Sequence, residues 1–594
     1  MKRRCATSQA HPYVIGIVGL ADSYLYHRGV LCYVYGDNPN RWLRILDLWN
    51  SASVELVVDI PTLVSKAVLG TRKSLKFKFR LLYHADGITS CLLSFAFSET
   101  EHWLLVFNAE EQIIYEPLEL DADSISRIFV RNNAEFLYYG THSVDVGDGF
   151  RRWVLQGFSI KENRWFPKKI TLSSVVGYEM GVTVCFEIMG DYLYGLSNQT
   201  SFEAGESNWM SYYYCFKLPL GTTEPRKSQI MRKHHSWRRH HSEGPIDDRW
   251  GFLKLETDET SGKIFIVESR KEWLKGKSGS RITYYSKELV FSGDCNEDWL
   301  AADVDEDILD EEIECLNQPE FSVLQARSPH NVHPGDDAST SPFYSRSHTH
   351  LRSYQRSSNT FLDLIHSFST DQSDAQCLHL RAGSRKLKSP SNSQIDYPKP
   401  EDQLSVEEQI DMLYHPNQIS TWPPQQKSSE PGPIWGGVHN ILNPVDYQGK
   451  VTATGDERSV VYSTGTGKEE DLHALVYISF DPAAKLHGMQ SWERLLPEPV
   501  GCGLQSDNDT SMYGLERKDK QLPQPIGGMV AESKGTERDI DVNLGDQLQP
   551  NGTDCPLKDE VFPTIPARDG DKGPWARFTR AMYRDLPGKL AFDK

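Results

Sequence analysis

No two of the ten cysteines, at positions 5, 32, 91, 185, 215, 295, 315, 377, 502 and 555, stand at C-x-x-C spacing. That removes the usual signal for a zinc knuckle or a redox dithiol. Ten thiols in 594 residues are also too sparse for a disulfide-stapled scaffold, which points to a reducing compartment, cytoplasmic or nuclear. Long hydrophobic runs are missing as well: nothing approaches the ~18–20 apolar residues that span a bilayer. Positive charge is short, with 64 Lys and Arg against 82 Asp and Glu, a formal net charge of -18. Nucleic-acid binders draw affinity from neutralising phosphates, so this balance argues against nucleic acid and against an anionic membrane surface as partners. Hydrophobic residues make up only 38%, and mean hydropathy is -0.51. Aromatics nevertheless reach 11%, with 14 Trp and 26 Tyr, so a real core is diluted by chain that does not join it.

Signatures of catalysis are absent too. Gly465-Thr466-Gly467-Lys468 ends like a phosphate loop, but Tyr462 stands where the first glycine belongs and Glu469 follows the lysine. Gly16 and Gly19 lack the three-glycine dinucleotide spacing. There is no G-x-S-x-G elbow, H-E-x-x-H pair or EF-hand loop, and no isolated carboxylate pair in an apolar setting. The expectation is therefore not an enzyme: no catalytic, cofactor-binding or metal residue is assigned, and no cofactor is implied.

What is present is strand texture. From Tyr13 to Phe291, short apolar, β-branched and aromatic runs alternate with polar turns. Ile45–Leu48 pairs with Val54–Val58, Trp103–Phe107 with Ile113–Tyr115, Trp153–Ile160 with Arg164–Phe166, Phe252–Leu255 with Lys263–Val267, and Ala474–Phe480 with Lys485-Leu486. Asn, Asp and Gly between them supply hairpin-turn conformations. The first three recur about 50–60 residues apart, a blade-sized step. The fold expected is mainly β: propeller-like repeated antiparallel hairpins, a long disordered insertion and few short helices. Met1–Arg4 followed by Val14–Leu20 superficially resembles a signal peptide, but glycines interrupt the short apolar part, which reads as a buried strand. Three sequons, at Asn198, Asn508 and Asn551, are no more than chance allows.

The boundaries follow composition. Residues 1–315 form the first part of the β domain, ending in an acidic stretch, Asp303–Glu314, with helical spacing. Residues 316–432 are a Ser/Pro-rich disordered insertion; 433–494 bring returning strands from Trp435 to Phe480; 495–570 are polar and disordered; 571–594 are an ordered C-terminal patch. Within the insertion, Ser357–Ser369 and the capping box Ser405–Glu408 read as short amphipathic helices. Six Lys and Arg and four His crowd Arg226–His241. This is a solvated loop by default, with nuclear import, an acidic partner or metal as alternatives. Ser-Pro steps at Ser328, Ser341 and Ser389 offer phosphorylation sites.

Five strings carry a resemblance: residues 12–19 (PYVIGIVG), 190–200 (GDYLYGLSNQT) with 212–216 (YYYCF), 449–463 (GKVTATGDERSVVYS) and 475–482 (LVYISFDP). They resemble a family of filamentous-fungal F-box proteins over most of the chain outside the insertion. The resemblance implies a target-recognition domain of a receptor for a cullin–RING ubiquitin ligase. An unknown target protein would be bound, with a Skp-type adaptor and cullin joining only where an F-box is present. The nearest F-box-like opening, Ile60-Pro61-Thr62-Leu63 to Leu69, lacks the acidic residue and runs into strand-like Lys76–Leu82. The F-box itself is expected before Met1, and the alternative function is a stand-alone propeller scaffold.

Overall fold

The computed structural model describes residues 2–36, 40–68, 77–95, 101–122, 125–144, 151–198, 210–222, 227–231, 233–240, 246–273, 280–291, 332–334, 348–366, 376–384, 418–424, 433–467, 471–491 and 574–592. Seven sheets of four to six strands, antiparallel but for the pairing of Gln490–Ser491 with Lys589–Ala591, succeed one another along the chain, with one extra two-stranded ribbon. The first strands of the sheets begin at residues 23, 77, 128, 184, 246, 348 and 450. Each of these strands touches the first strand of a neighbouring sheet, and the first sheet meets the last. The sheets are therefore blades around an axis, and the protein is a seven-bladed β-propeller.

Every blade is sandwiched between two others, so its strands bury both faces and read as apolar runs instead of strict alternation. Ser459–Gly465 is buried at all seven positions. A separate apolar cluster fills each gap between blades. Trp153, Phe129 and Phe186 lie between the third and fourth; Leu362, Leu380, Val460 and Ile478 lie between the sixth and seventh. The gap between the fifth and sixth holds the smallest cluster, Val267, Tyr284, Tyr354 and Phe361, with the Tyr284 and Phe361 rings stacked at 4.4 Å. Polar links run along the inner strands. His27 Nε2 meets the Tyr83 hydroxyl at 3.0 Å, the Arg131 guanidinium lies 4.8 Å from the Tyr83 ring, and Arg131 pairs with Glu187 at 3.0 Å. Farther round, Lys254 Nζ donates to Tyr354 O at 3.4 Å and Gln355 Nε2 to Asp456 O at 2.8 Å.

The ring closes through the seventh blade. Strand Val14–Ala21 pairs with His473–Ser479 on one edge and with Lys589–Ala591 on the other. The run at Val14–Leu20 is thus a buried strand, as its glycines and length indicate. Ahead of it, helix Lys2–Ser8 and Ala10 dock in the same body, with Ala6 and Ala10 fully buried and Arg3 paired with Glu259. The C-terminal patch is ordered and splits between two blades, because Ala576–Arg580 also extends the first blade beside Val54–Asp59.

Several expectations need correction. The insertion 316–432 is not wholly disordered. Val332–Pro334 edges the fifth blade, and the sixth blade is built inside the insertion from His348–Gln355, Thr360–His366, Leu378–Ser384 and Gln418–Trp422. Phe361, Leu362, Leu364 and Ile365 all bury themselves as a strand, so the helix expected at Ser357–Ser369 shrinks to one 3-10 turn, Arg356–Ser358. The returning strands begin at Lys450; before them Pro433–Leu442 is a helix that buries Val438, Ile441 and Leu442. Lys485-Leu486 does not form a strand; Leu486 is buried, and the next strand is Gln490–Ser491. Asp303–Glu314, Ser405–Glu408, the three Ser-Pro serines and 495–570 lie outside the described residues. Ile60–Ala67 is a helix capped by Asp59, whose Oδ1 accepts from Thr62 N at 3.0 Å. Its Ile60, Leu63 and Val64 sit in the core with Trp575, and it connects the first two blades. Strand Phe77–Ala85 follows it.

One glycine shows how tight the blades are. A Cβ on Gly195 would lie 2.2 Å from Phe216 Cε1 and 3.0 Å from Phe186 Cε1, and Gly195 is the register partner of both phenylalanines. Overpacking of this kind costs about 1–3 kcal/mol. Gly195→Ala should lower the urea-unfolding free energy by that amount, and an unchanged midpoint would mean the rings move aside freely.

Candidate interaction site

Antiparallel order divides the propeller into two faces. Turns between first and second strands emerge on one; links between second and third strands, and crossovers to the next blade, emerge on the other. The turn face is tight, with Arg28, Asp86 and Asn359 at positive φ beside short hairpins. The crossover face carries the longer segments, where binding groups concentrate on a rigid scaffold.

The crossover from the third to the fourth blade is tied down along its length. Trp153 Nε1 donates to Gly177 O at 2.9 Å, Asn198 Nδ2 to Val182 O at 3.1 Å, and Leu253 N to Gly181 O at 2.7 Å. The Ser197 hydroxyl also donates to Val176 O. Gly177, at φ +100, and Gly181, at φ +77, supply turns that a side chain would strain. At the tip Tyr178 is 45% exposed, one of four large hydrophobic residues so placed among the described residues. The Arg127 guanidinium stacks 3.6 Å from its ring, and the His142 ring lies 6.0 Å away. His142 is wedged against buried Trp153 at 5.4 Å, and its Nδ1 is buried without a hydrogen-bond partner among the described residues. Burial, then the charges of Arg127 and Arg151, push its pKa below the ordinary imidazole value, so the ring is neutral at pH 7. An aromatic side chain, a guanidinium and a neutral imidazole on a pre-ordered loop make a surface suited to an acidic or aromatic segment, with little entropy left to lose on binding.

The segment Arg226–His241, expected as a solvated loop, is partly built into the body. Trp237–His240 pairs with Met210–Tyr212 as the extra ribbon. Arg238 is buried and reaches Glu268 through Nε at 3.1 Å and through Nη2. Arg270 pairs with the same carboxylate, Tyr213 donates to it at 2.7 Å and Asn198 at 3.1 Å. One of the basic residues is therefore a structural anchor, a role that charge patterning alone does not show.

A group of possible metal ligands lies at the crossover end of the sixth blade. Cys377 and His379 stand one residue apart at the start of a strand, and His439 comes from the helix Pro433–Leu442. Six described cysteines are free thiols: Cys5 is exposed, Cys32, Cys91, Cys185 and Cys215 are buried, and Cys377 is intermediate. Among the described residues no helix is long and apolar enough to cross a membrane.

No family model matches the chain, and no curated protein matches it in sequence. Several solved structures align with much of the chain at low similarity. The WD40 domain of SCAP from fission yeast is 11% identical, with a TM-score of 0.31, covering 78% of this chain and 95% of that one. Xylan beta-1,4-xylosidase from Bacillus halodurans C-125 is 12% identical with a TM-score of 0.21, covering 79% and 88%. The polysaccharide lyase Uly1 is 8% identical with a TM-score of 0.26, covering 70% and 95%. At these values neither a binding domain nor a hydrolase is singled out as a guide to activity.

Proposed function

We propose that this chain is a non-catalytic protein-binding module whose partner docks on the crossover face over the third and fourth blades. The observation that carries this reading is Tyr178, exposed on a loop held at four points and stacked under Arg127. Trp, Tyr and Arg dominate the energetics of protein interfaces, and a rigid presenting loop keeps the ordering cost low. Arg127 and Arg151, whose charges both act on His142, bring positive charge to this part of an acidic protein, which favours a partner segment bearing Asp or Glu beside an aromatic residue.

Displayed peptide libraries panned against the full chain test this. Selected peptides should carry acidic and aromatic residues, and Tyr178→Ala should weaken them by about 10-fold or more, the loss of a hot spot, with its melting temperature unchanged. Equal binding by wild type and Tyr178→Ala would remove the site. The family likeness supports a narrower role, presentation of the bound target to a cullin–RING ubiquitin ligase. Co-purification of a Skp-type adaptor and cullin with the full-length protein would support it; clean absence would leave the stand-alone scaffold.

A further inference from the structure

We infer that Cys377, His379 and His439 form a zinc site that fastens the crossover helix to the sixth blade. The potential ligand atoms of all three residues lie within 4.8 Å of one another. Cys377 Sγ is 3.8 Å from His379 Nδ1 and 3.9 Å from Nε2, and the His379 and His439 rings stand 5.6 Å apart at 74°. In a tetrahedral zinc centre, Zn–S of ~2.3 Å and Zn–N of ~2.0–2.1 Å place neighbouring ligand atoms about 3.4–3.6 Å apart. Side-chain movement on the order of 1 Å would therefore complete the geometry, without moving the backbone.

The backbone is already fixed from both sides. Cys377 and His379, separated by one residue in extended chain, project on one face of the sheet. Between them Leu378 N donates to Asn443 Oδ1 at 2.8 Å, and Asn443 N donates to His439 O at 2.8 Å. Gln376, next in the chain, receives Gly449 N at 2.8 Å and donates to Thr464 Oγ1 at 3.0 Å. Strand start and helix end are thus laced together around the three side chains.

The donor set selects the metal class. One thiol and two imidazoles suit a borderline-soft divalent cation over calcium or magnesium, which take oxygen ligands. On binding, the Cys377 thiol releases its proton to solvent and the two imidazoles coordinate in their neutral form. His379 is buried while Cys377 and His439 are partly exposed, so a fourth position facing solvent stays open for water or for a side chain of a bound partner.

Cobalt(II) titration of the full-length protein, purified without chelators and stripped of metal, tests the site. The expected result is one equivalent bound, with visible d–d bands of tetrahedral intensity and a thiolate-to-cobalt charge-transfer band, both displaced by zinc. Cys377→Ser should abolish the charge-transfer band. His439→Gln should weaken binding by more than about 10–100-fold, the loss that even an outer partner of a metal ligand brings, with its circular dichroism unchanged. Cys5→Ser should leave the spectrum intact. Absence of tetrahedral bands in wild type, or a charge-transfer band surviving in Cys377→Ser, would overturn the assignment.

Discussion

Glu268→Ala should destabilise the protein by about 3–5 kcal/mol, the loss that follows when a buried ion pair is broken from one side. The carboxylate is 2% exposed and holds both Arg238 and Arg270, so truncation leaves two guanidiniums in a dry site. Urea unfolding at pH 7 measures the loss. Hydrogen exchange should localise its first consequence to Met210–Tyr212 and Trp237–His240, which Arg238 pins to the fifth blade. A loss under 1 kcal/mol would mean that Arg238 swings out to water and the ribbon is not anchored by charge. The pH dependence follows with a definite sign. Burial alone would raise the Glu268 pKa, but Arg238 and Arg270 outweigh it and hold the carboxyl well below the usual range. The stabilisation is complete above the unfolded-state pKa of a glutamate and is lost only as pH falls through that depressed folded value. This anchor therefore survives mild acid.

Mild acid should act elsewhere, at the joint of the first two blades. Burial lowers His84 from 6.5 to about 4. Burial first, then Arg28, Arg131 and His84, lower His27 from 6.5 to about 3. Both rings are neutral in the folded protein at pH values where the unfolded chain binds a proton. Stability is thus full above pH 6.5 and declines as pH falls towards the folded values. For His84, 7% exposed and bonded to Thr89 Oγ1 at 2.8 Å, the loss is on the order of 3 kcal/mol; His27 adds to it in the same direction. Unfolding free energies from pH 7.5 to 4 should show this slope, and His84→Gln should flatten it. A wild-type profile level between pH 7 and 4.5 would exclude these imidazoles as the acid-sensitive groups.

The propeller was legible because its signals are local. Turns such as Arg28-Gly29, Asp86-Gly87 and Gly190-Asp191 sit between apolar runs at a regular step, and each hairpin announces itself within about ten residues. The sixth blade was hidden by its neighbours: a window drawn across Ser, Pro and Asn averages away the buried faces of Thr360–His366 and Leu378–Ser384. Residues 433–442 form a helix in which Trp435, Val438, Ile441 and Leu442 recur at helical spacing, a period that Gly436 and Gly437, poor helix formers, blur in the sequence. The interaction site was not legible at all. Arg127, His142 and Tyr178 are unremarkable in sequence and meet only because consecutive blades turn their crossovers the same way. Likewise, Cys377-Leu378-His379 is no ligand motif until the helix carrying His439, some 60 residues on, is folded over it.

The edge-to-edge pairing of Val14–Ala21 with both His473–Ser479 and Lys589–Ala591 bears on how the protein is made. A chain emerging from the ribosome can fold its early hairpins as they appear, but the circle stays open until His473–Ser479 arrives to pair with Val14–Ala21. Until then Val14, Ile15 and Val18 have no lasting cover. So many contacts between opposite ends of the polypeptide imply slow final annealing. A premature stop ahead of His473 would leave an unclosed, sticky ring.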